Sequence, residues 1–136
     1  MVVPLEGPPS VAGRAHVVPG SALREPAETT HGVDRREAFF TDTAWFGRMQ
    51  NTPNQVSGWH VHLNHDTYGH PLVGRAFAEF GPGGRERIVP GQGDFIEIPR
   101  GVVHREGNPD DAPNDGIILR VGRGPVIANL EGPPEG

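Results

Sequence analysis

Apolar and polar residues alternate along this chain in short runs, with the two-residue period of strands rather than the longer period of helices. In residues 44–50 (Ala-Trp-Phe-Gly-Arg-Met-Gln) the pattern sets Trp45, Gly47 and Met49 on one face of a strand. Similar runs predict strands over 15–18, 35–41, a segment carrying His60 and His62, 87–89, 95–98, 102–105, 117–121 and 126–128. Residues 67–72 and 75–80 read as a hairpin around Val73-Gly74, and residues 107–116 as a polar loop. Turn-forming sequences separate the runs: Asn51-Thr52-Pro53-Asn54, Gly81-Pro82-Gly83-Gly84 and Pro90-Gly91-Gln92-Gly93. No segment carries a sustained helical period. Many short strands at this spacing predict an all-β sandwich or barrel.

Composition narrows the possibilities. A chain of 136 residues is expected to form a single domain. We expect a flexible N-terminal arm over 1–13, the folded domain over 14–130 and a flexible tail over 131–136, both ends being rich in Pro and Gly. There is no cysteine, so a bound metal must use imidazole, carboxylate or water. All twelve basic residues are Arg, and the absence of Lys excludes Schiff-base chemistry on the chain. A net charge of -5 argues against nucleic acid or an acidic membrane as the main partner. The opening residues lack the basic start and apolar run of a signal peptide, and no stretch is long and apolar enough to span a bilayer, so a cytoplasmic location is the expectation.

Candidate chemistry centres on histidine. In Gly58-Trp59-His60-Val61-His62 two imidazoles stand two positions apart, and on a strand both point the same way. They can therefore share one ion. His104 follows Pro99-Arg100-Gly101 and can close the site from another direction. The residues around these histidines resemble the two motifs of the cupin superfamily. Gly93, Pro99, Gly101, His104 and Asn108 match the second motif, G(X)5PXG(X)2H(X)3N, in full. His60, His62 and Gly74 match the first, G(X)5HXH(X)3–4E(X)6G, whose leading Gly falls on Asn54 and whose Glu falls on Thr67 or, at the shorter spacing, Asp66.

The resemblance implies a jelly-roll β-barrel and a divalent metal on His60, His62 and His104. With the usual Glu missing, His65 is the first choice for a fourth ligand, with His70, Asp66 or water as alternatives. A metal held only by neutral imidazoles would keep its full double charge, which favours Lewis-acid work. Zinc is the expected ion, with iron(II), nickel, cobalt and manganese also compatible with imidazole. The stretches 58–62, 65–69, 80–84 and 104–109 resemble the small single-domain cupin polyketide cyclases of aromatic antibiotic biosynthesis, of the resistomycin type. That resemblance implies aldol cyclisation of a poly-carbonyl small molecule, with hydroxide on the ion as base and Asp66 as the candidate side-chain catalyst. Trp45 and Met49 are the expected substrate contacts; Arg105 and Glu106 next to His104 could orient a substrate, although strand alternation sends Arg105 away from His104. A three-histidine iron dioxygenase of a diketone or phenol is the alternative, and a small-molecule-binding module the non-enzymatic one. Small cupins commonly pair through an N-terminal strand, so the resemblance also implies a homodimer.

Overall fold

The computed structural model describes residues 13–26, 33–125 and 127–135. Among them the strands are β1 (Asp34–Phe40), β2 (Ala44–Asn51), β3 (Trp59–His62), β4 (His65–Val73) and β5 (Phe77–Phe80). Then come β6 (Glu86–Ile88), β7 (Ile96–Ile98), β8 (Arg105–Gly107), β9 (Asn114–Gly122) and β10 (Ile127–Leu130). The only helical pieces described are two 3₁₀ turns, Gly20–Ala22 and Pro82–Gly84.

One sheet runs in the order β1-β2-β9-β4-β7, every pair antiparallel. The opposing strands form two pieces, β10-β3 and β6-β5-β8, joined by isolated bridges between Val56 and Gly107 and between His60 and His104. In the first sheet Trp45, Arg120 and Thr67 lie in one row across β2, β9 and β4, all facing inward. The inside of the fold is polar as well as apolar. Val33, Trp45, Val61, Phe77, Ala78, Ile98 and Ile118 are buried, and so are Arg35, Asn51, Asn108, Glu106, Arg120 and four histidines. A buried polar set of this size must be satisfied from within, because water cannot reach it.

Most expected strands form, and the departures have physical causes. Residues 15–18 form no strand. The expected hairpin of 67–72 with 75–80 does not exist, because β9 and β7 already occupy both edges of β4. Instead Gly74, at φ 73°, turns the chain across to the other sheet. Asn114 Nδ2 donates to the Arg75 carbonyl at 2.9 Å and the Ala76 N–H to the Pro90 carbonyl at 3.0 Å, which hold that crossover. The strand expected at 102–105 is displaced to β8, leaving His104 on a single bridge. The polar loop is shorter than expected, since β8 ends at Gly107 and β9 starts at Asn114. Of the expected strand 126–128, Val126 lies outside the described residues, as does the expected arm 1–13 apart from Gly13. In the expected tail, the Pro134 carbonyl accepts a hydrogen bond from the Gly83 N–H at 2.8 Å.

Close backbone approach makes Gly107 irreplaceable. A Cβ there would overlap the Gln55 carbonyl oxygen, which already accepts the Asn108 N–H at 2.8 Å. Gly107→Ala is expected to destabilise the fold by about 2–3 kcal/mol through forced backbone shifts. Thermal denaturation checks this, and an unchanged midpoint would contradict the described pairing of 55–56 with 107–108.

Candidate metal centre

Strand alternation aims His60 and His62 inward from β3, and both are buried. His104 joins them because its backbone pairs with that of His60, N–H to carbonyl at 2.9 Å one way and 2.8 Å the other. Directly paired residues on antiparallel strands share a face. The ring centroids lie 5.4 Å apart for His60 and His62, 4.2 Å for His60 and His104, and 4.9 Å for His62 and His104. One ring nitrogen from each can be chosen so that all three lie within 4.8 Å of one another.

The far side of each ring is tied down. Nδ1–H of His60 donates to the Gly58 carbonyl at 3.0 Å, and Nδ1–H of His104 to the Val102 carbonyl at 2.9 Å. His62 Nδ1 pairs with the Thr67 hydroxyl at 2.6 Å. A carbonyl can only accept, so Nδ1 carries a proton in His60 and His104, and in the neutral rings the lone pair is on Nε2. The Nε2 atoms of all three histidines are buried and have no hydrogen-bond partner. Three buried, converging, unpartnered nitrogens are costly in a protein interior and become favourable when a cation takes their lone pairs. The residues present therefore fit a divalent metal ion.

Burial, followed by the neighbouring His104, holds His62 down to about 2. Burial also lowers His104. Both remain neutral at ordinary pH, the state in which imidazole binds metal. Glu106, two residues beyond His104, faces the same way. Its Oε1 is 3.5 Å from His60 Nε2 and its Oε2 is 3.9 Å from His104 Nε2. Burial alone would raise this carboxyl, but contact with His60, the adjacent His104 and the Arg35 guanidinium hold it well below the usual carboxylate range. Arg35 reaches across from β1, its Nη2 3.2 Å from Glu106 Oε1. The Glu106 N–H is anchored on the Ser57 hydroxyl at 2.9 Å.

Several sequence-based expectations need correction. A carboxylate does stand beside the imidazoles: Glu106 lies against His60 and His104, outside the group of three. His65 is buried on β4 but lies outside the metal-competent group. Thr67 is the β4 residue that touches His62, and His65 stands two residues, about 7 Å, further along the strand. Asp66 lies on the outer face of β4 and binds Arg100, from its backbone N–H at 3.0 Å and from Nη2 at 3.1 Å. It is thereby directed away from the imidazoles and engaged with Arg100. His70 is on the same outer face, donating to the Asp94 carbonyl at 2.9 Å and stacked 4.2 Å from Phe95. Trp45 is buried, with the Arg120 guanidinium 4.9 Å from its ring and its own Nε1–H donated to Glu37 at 2.9 Å. Met49 lines a small cavity with Gly69, Pro71 and Ile118 that none of the three histidines lines. A cavity of about 90 Å³ does meet the centre, walled by Ala78, Phe80, Ile88, Ile98 and Val102 and ending on His104.

Sequence reasoning left Arg35 and the positioning role of Thr67 out of the centre and gave Glu106 only a substrate-orienting role. For Glu106 the signal was present, since residues 104 and 106 of one strand share a face. For Arg35 there was none, because the contact joins residues 71 apart.

No protein-family model matches the chain, and no curated protein does. Solved structures do. An uncharacterized conserved protein with a double-stranded β-helix domain from Klebsiella pneumoniae superposes with a TM-score of 0.68 at 18% identity, over 87% of this chain and 99% of that one. The fold is the double-stranded β-helix of the cupins. Another cupin-fold neighbour is KdgF from Halomonas sp., with a TM-score of 0.57 at 20% identity over 75% of this chain and 88% of that one. A third is oxalate decarboxylase from Bacillus subtilis, with a TM-score of 0.63 at 19% identity over 79% of this chain. This chain spans only 30% of that enzyme, which has Mn(II) centres. At these identities the likeness establishes the cupin fold, and the chemistry has to come from the residues described above.

Proposed function

We propose that this protein is a metal-dependent cupin enzyme that activates a carbonyl-bearing small molecule, and that its reaction is the aldol cyclisation of a poly-carbonyl aromatic precursor. The reading is carried by the three unpartnered Nε2 atoms converging inside the barrel. When bound, the ion would supply Lewis acidity, polarising a carbonyl and making its α-protons easier to remove. His60, His62 and His104 would hold it, with zinc the first expectation and iron(II), nickel, cobalt and manganese compatible with the same donors. Thr67 and the carbonyls of Gly58 and Val102 fix the ring orientations. The apolar wall of Ala78, Ile98 and Val102 would exclude water from the reacting segment. That cavity is smaller than the roughly 300–1,000 Å³ of whole-ligand pockets. It would take the reacting carbonyl segment, with the rest of a longer substrate outside.

Glu106 favours one second reading, a dioxygenase of a diketone or phenol. An anionic neighbour stabilises the higher oxidation state of a redox metal such as iron. Elemental analysis of protein purified without added metal, combined with oxygen uptake on diketones, separates the two. We expect about one zinc per chain and no oxygen consumption. Iron with substrate-dependent uptake would replace the cyclase by the oxygenase.

A further inference from the structure

We propose that Glu106 is the fourth protein ligand of the ion, a carboxylate supplied by the strand after His104 instead of by the turn after His62. The inference rests on the three-histidine reading above and deepens it.

The geometry is that of two donors sharing a cation. Glu106 Oε1 and His60 Nε2 are 3.5 Å apart. Two ligands on a tetrahedral ion with bonds of 2.0–2.2 Å stand roughly 3.3–3.6 Å apart. The second oxygen, 3.9 Å from His104 Nε2, lies toward the other imidazole. In the neutral state that metal binding requires, the protons of His60 and His104 sit on Nδ1 and the Nε2 lone pairs face the carboxylate. Acceptor opposite acceptor in a buried site is repulsive unless a positive charge lies between, and Arg35 approaches Oε1 from β1, on the opposing sheet.

Glu106 is held as a ligand needs to be. Its backbone is bonded to Ser57 and its Oε1 to a guanidinium that is only 2% exposed. Support of this kind orients metal ligands and raises affinity. At the motif position where a carboxylate would otherwise stand, Thr67 binds the back of His62 and is committed to orienting that ring.

The test adds Co²⁺ to metal-free wild-type and Glu106→Gln protein, followed by titration calorimetry and the visible absorption of the ion. We expect the substitution to weaken binding by about 10–100-fold and to shift the absorption bands. Equal affinity with an unchanged spectrum overturns the proposal and leaves Glu106 as a partner of Arg35 alone, while the three-histidine cup stands. A wild-type protein that takes up no Co²⁺ removes the cup and this proposal together. Should Glu106→Gln lose its native circular dichroism, crystals of the wild-type protein soaked in Zn²⁺ decide. A Glu106 oxygen at about 2.0–2.2 Å from the ion supports the assignment. One beyond about 3 Å overturns it.

Discussion

Replacing His60 and His104 together by Ala is expected to abolish stoichiometric metal binding. Tight structural zinc sites reach about 10–16 kcal/mol at neutral pH, so shared among four ligands each would carry about 2.5–4 kcal/mol. Losing two should cost roughly 5–8 kcal/mol, about four to six decades in affinity. Asp66 and His70 face outward from β4, committed to Arg100 and to the Asp94 carbonyl, so neither takes their place. The wild-type protein should also gain stability from the ion. At a free metal concentration 1,000 times Kd, binding adds about 4 kcal/mol, which for a domain of this size is a rise of roughly 10–20 °C in Tm. The double variant should show no such rise. Metal content after gel filtration and thermal melts with and without Zn²⁺ read both effects. A folded double variant that still carried one ion per chain would reject the assignment of the centre.

The metal-free protein is expected to be acid-labile, losing stability as the pH drops below about 6.5. His62 is held down to about 2 by burial and by His104, whereas a histidine in an unfolded chain titrates near 6.5. Between those values the unfolded chain binds a proton that the native state refuses, so acid favours unfolding. The slope from His62 alone is about 1.4 kcal/mol per pH unit, as an upper bound. His104, also lowered by burial, acts in the same direction. Glu106 adds to the loss at lower pH, since its carboxyl stays deprotonated in the native state where that of an unfolded chain takes up a proton. His62 alone, over about 2.5 pH units, removes up to about 3.5 kcal/mol, a large share of the stability of a typical domain. Circular dichroism of metal-free wild-type protein and of His62→Gln, which cannot titrate, checks this. Matching acid-unfolding curves would show that His62 does not refuse the proton.

The centre was only partly legible in residue order, and the divide is physical. Residues 60 and 62 announced themselves because strand alternation is local: two positions along one strand always share a face. His104 stood out through the turn residues at fixed spacing before it. The failures all involved choices that the neighbouring strand makes. The turn holding Leu63-Asn64-His65-Asp66 offered several donors, and proximity in the chain favoured them over Glu106. Yet β4 begins at His65 and is immediately paired with β9, which leaves Thr67 against His62 and turns Asp66 and His70 outward. The Val73-Gly74 turn looked like a hairpin because hairpins are the commonest use of such a pair, but both edges of β4 were already occupied.

Local pattern and turn chemistry alone thus determined an all-β sandwich or barrel of short strands, a pair of imidazoles on one strand and a third after a glycine turn. These depend on backbone periodicity and on which residues tolerate tight turns, both set within a few positions. Only the tertiary structure decided which carboxylate faces the imidazoles, what holds it and which side chains stay outside. Arg35 and Glu106 meet from opposite sheets, and such a meeting is set by sheet order and strand register, which no local stretch of residues encodes.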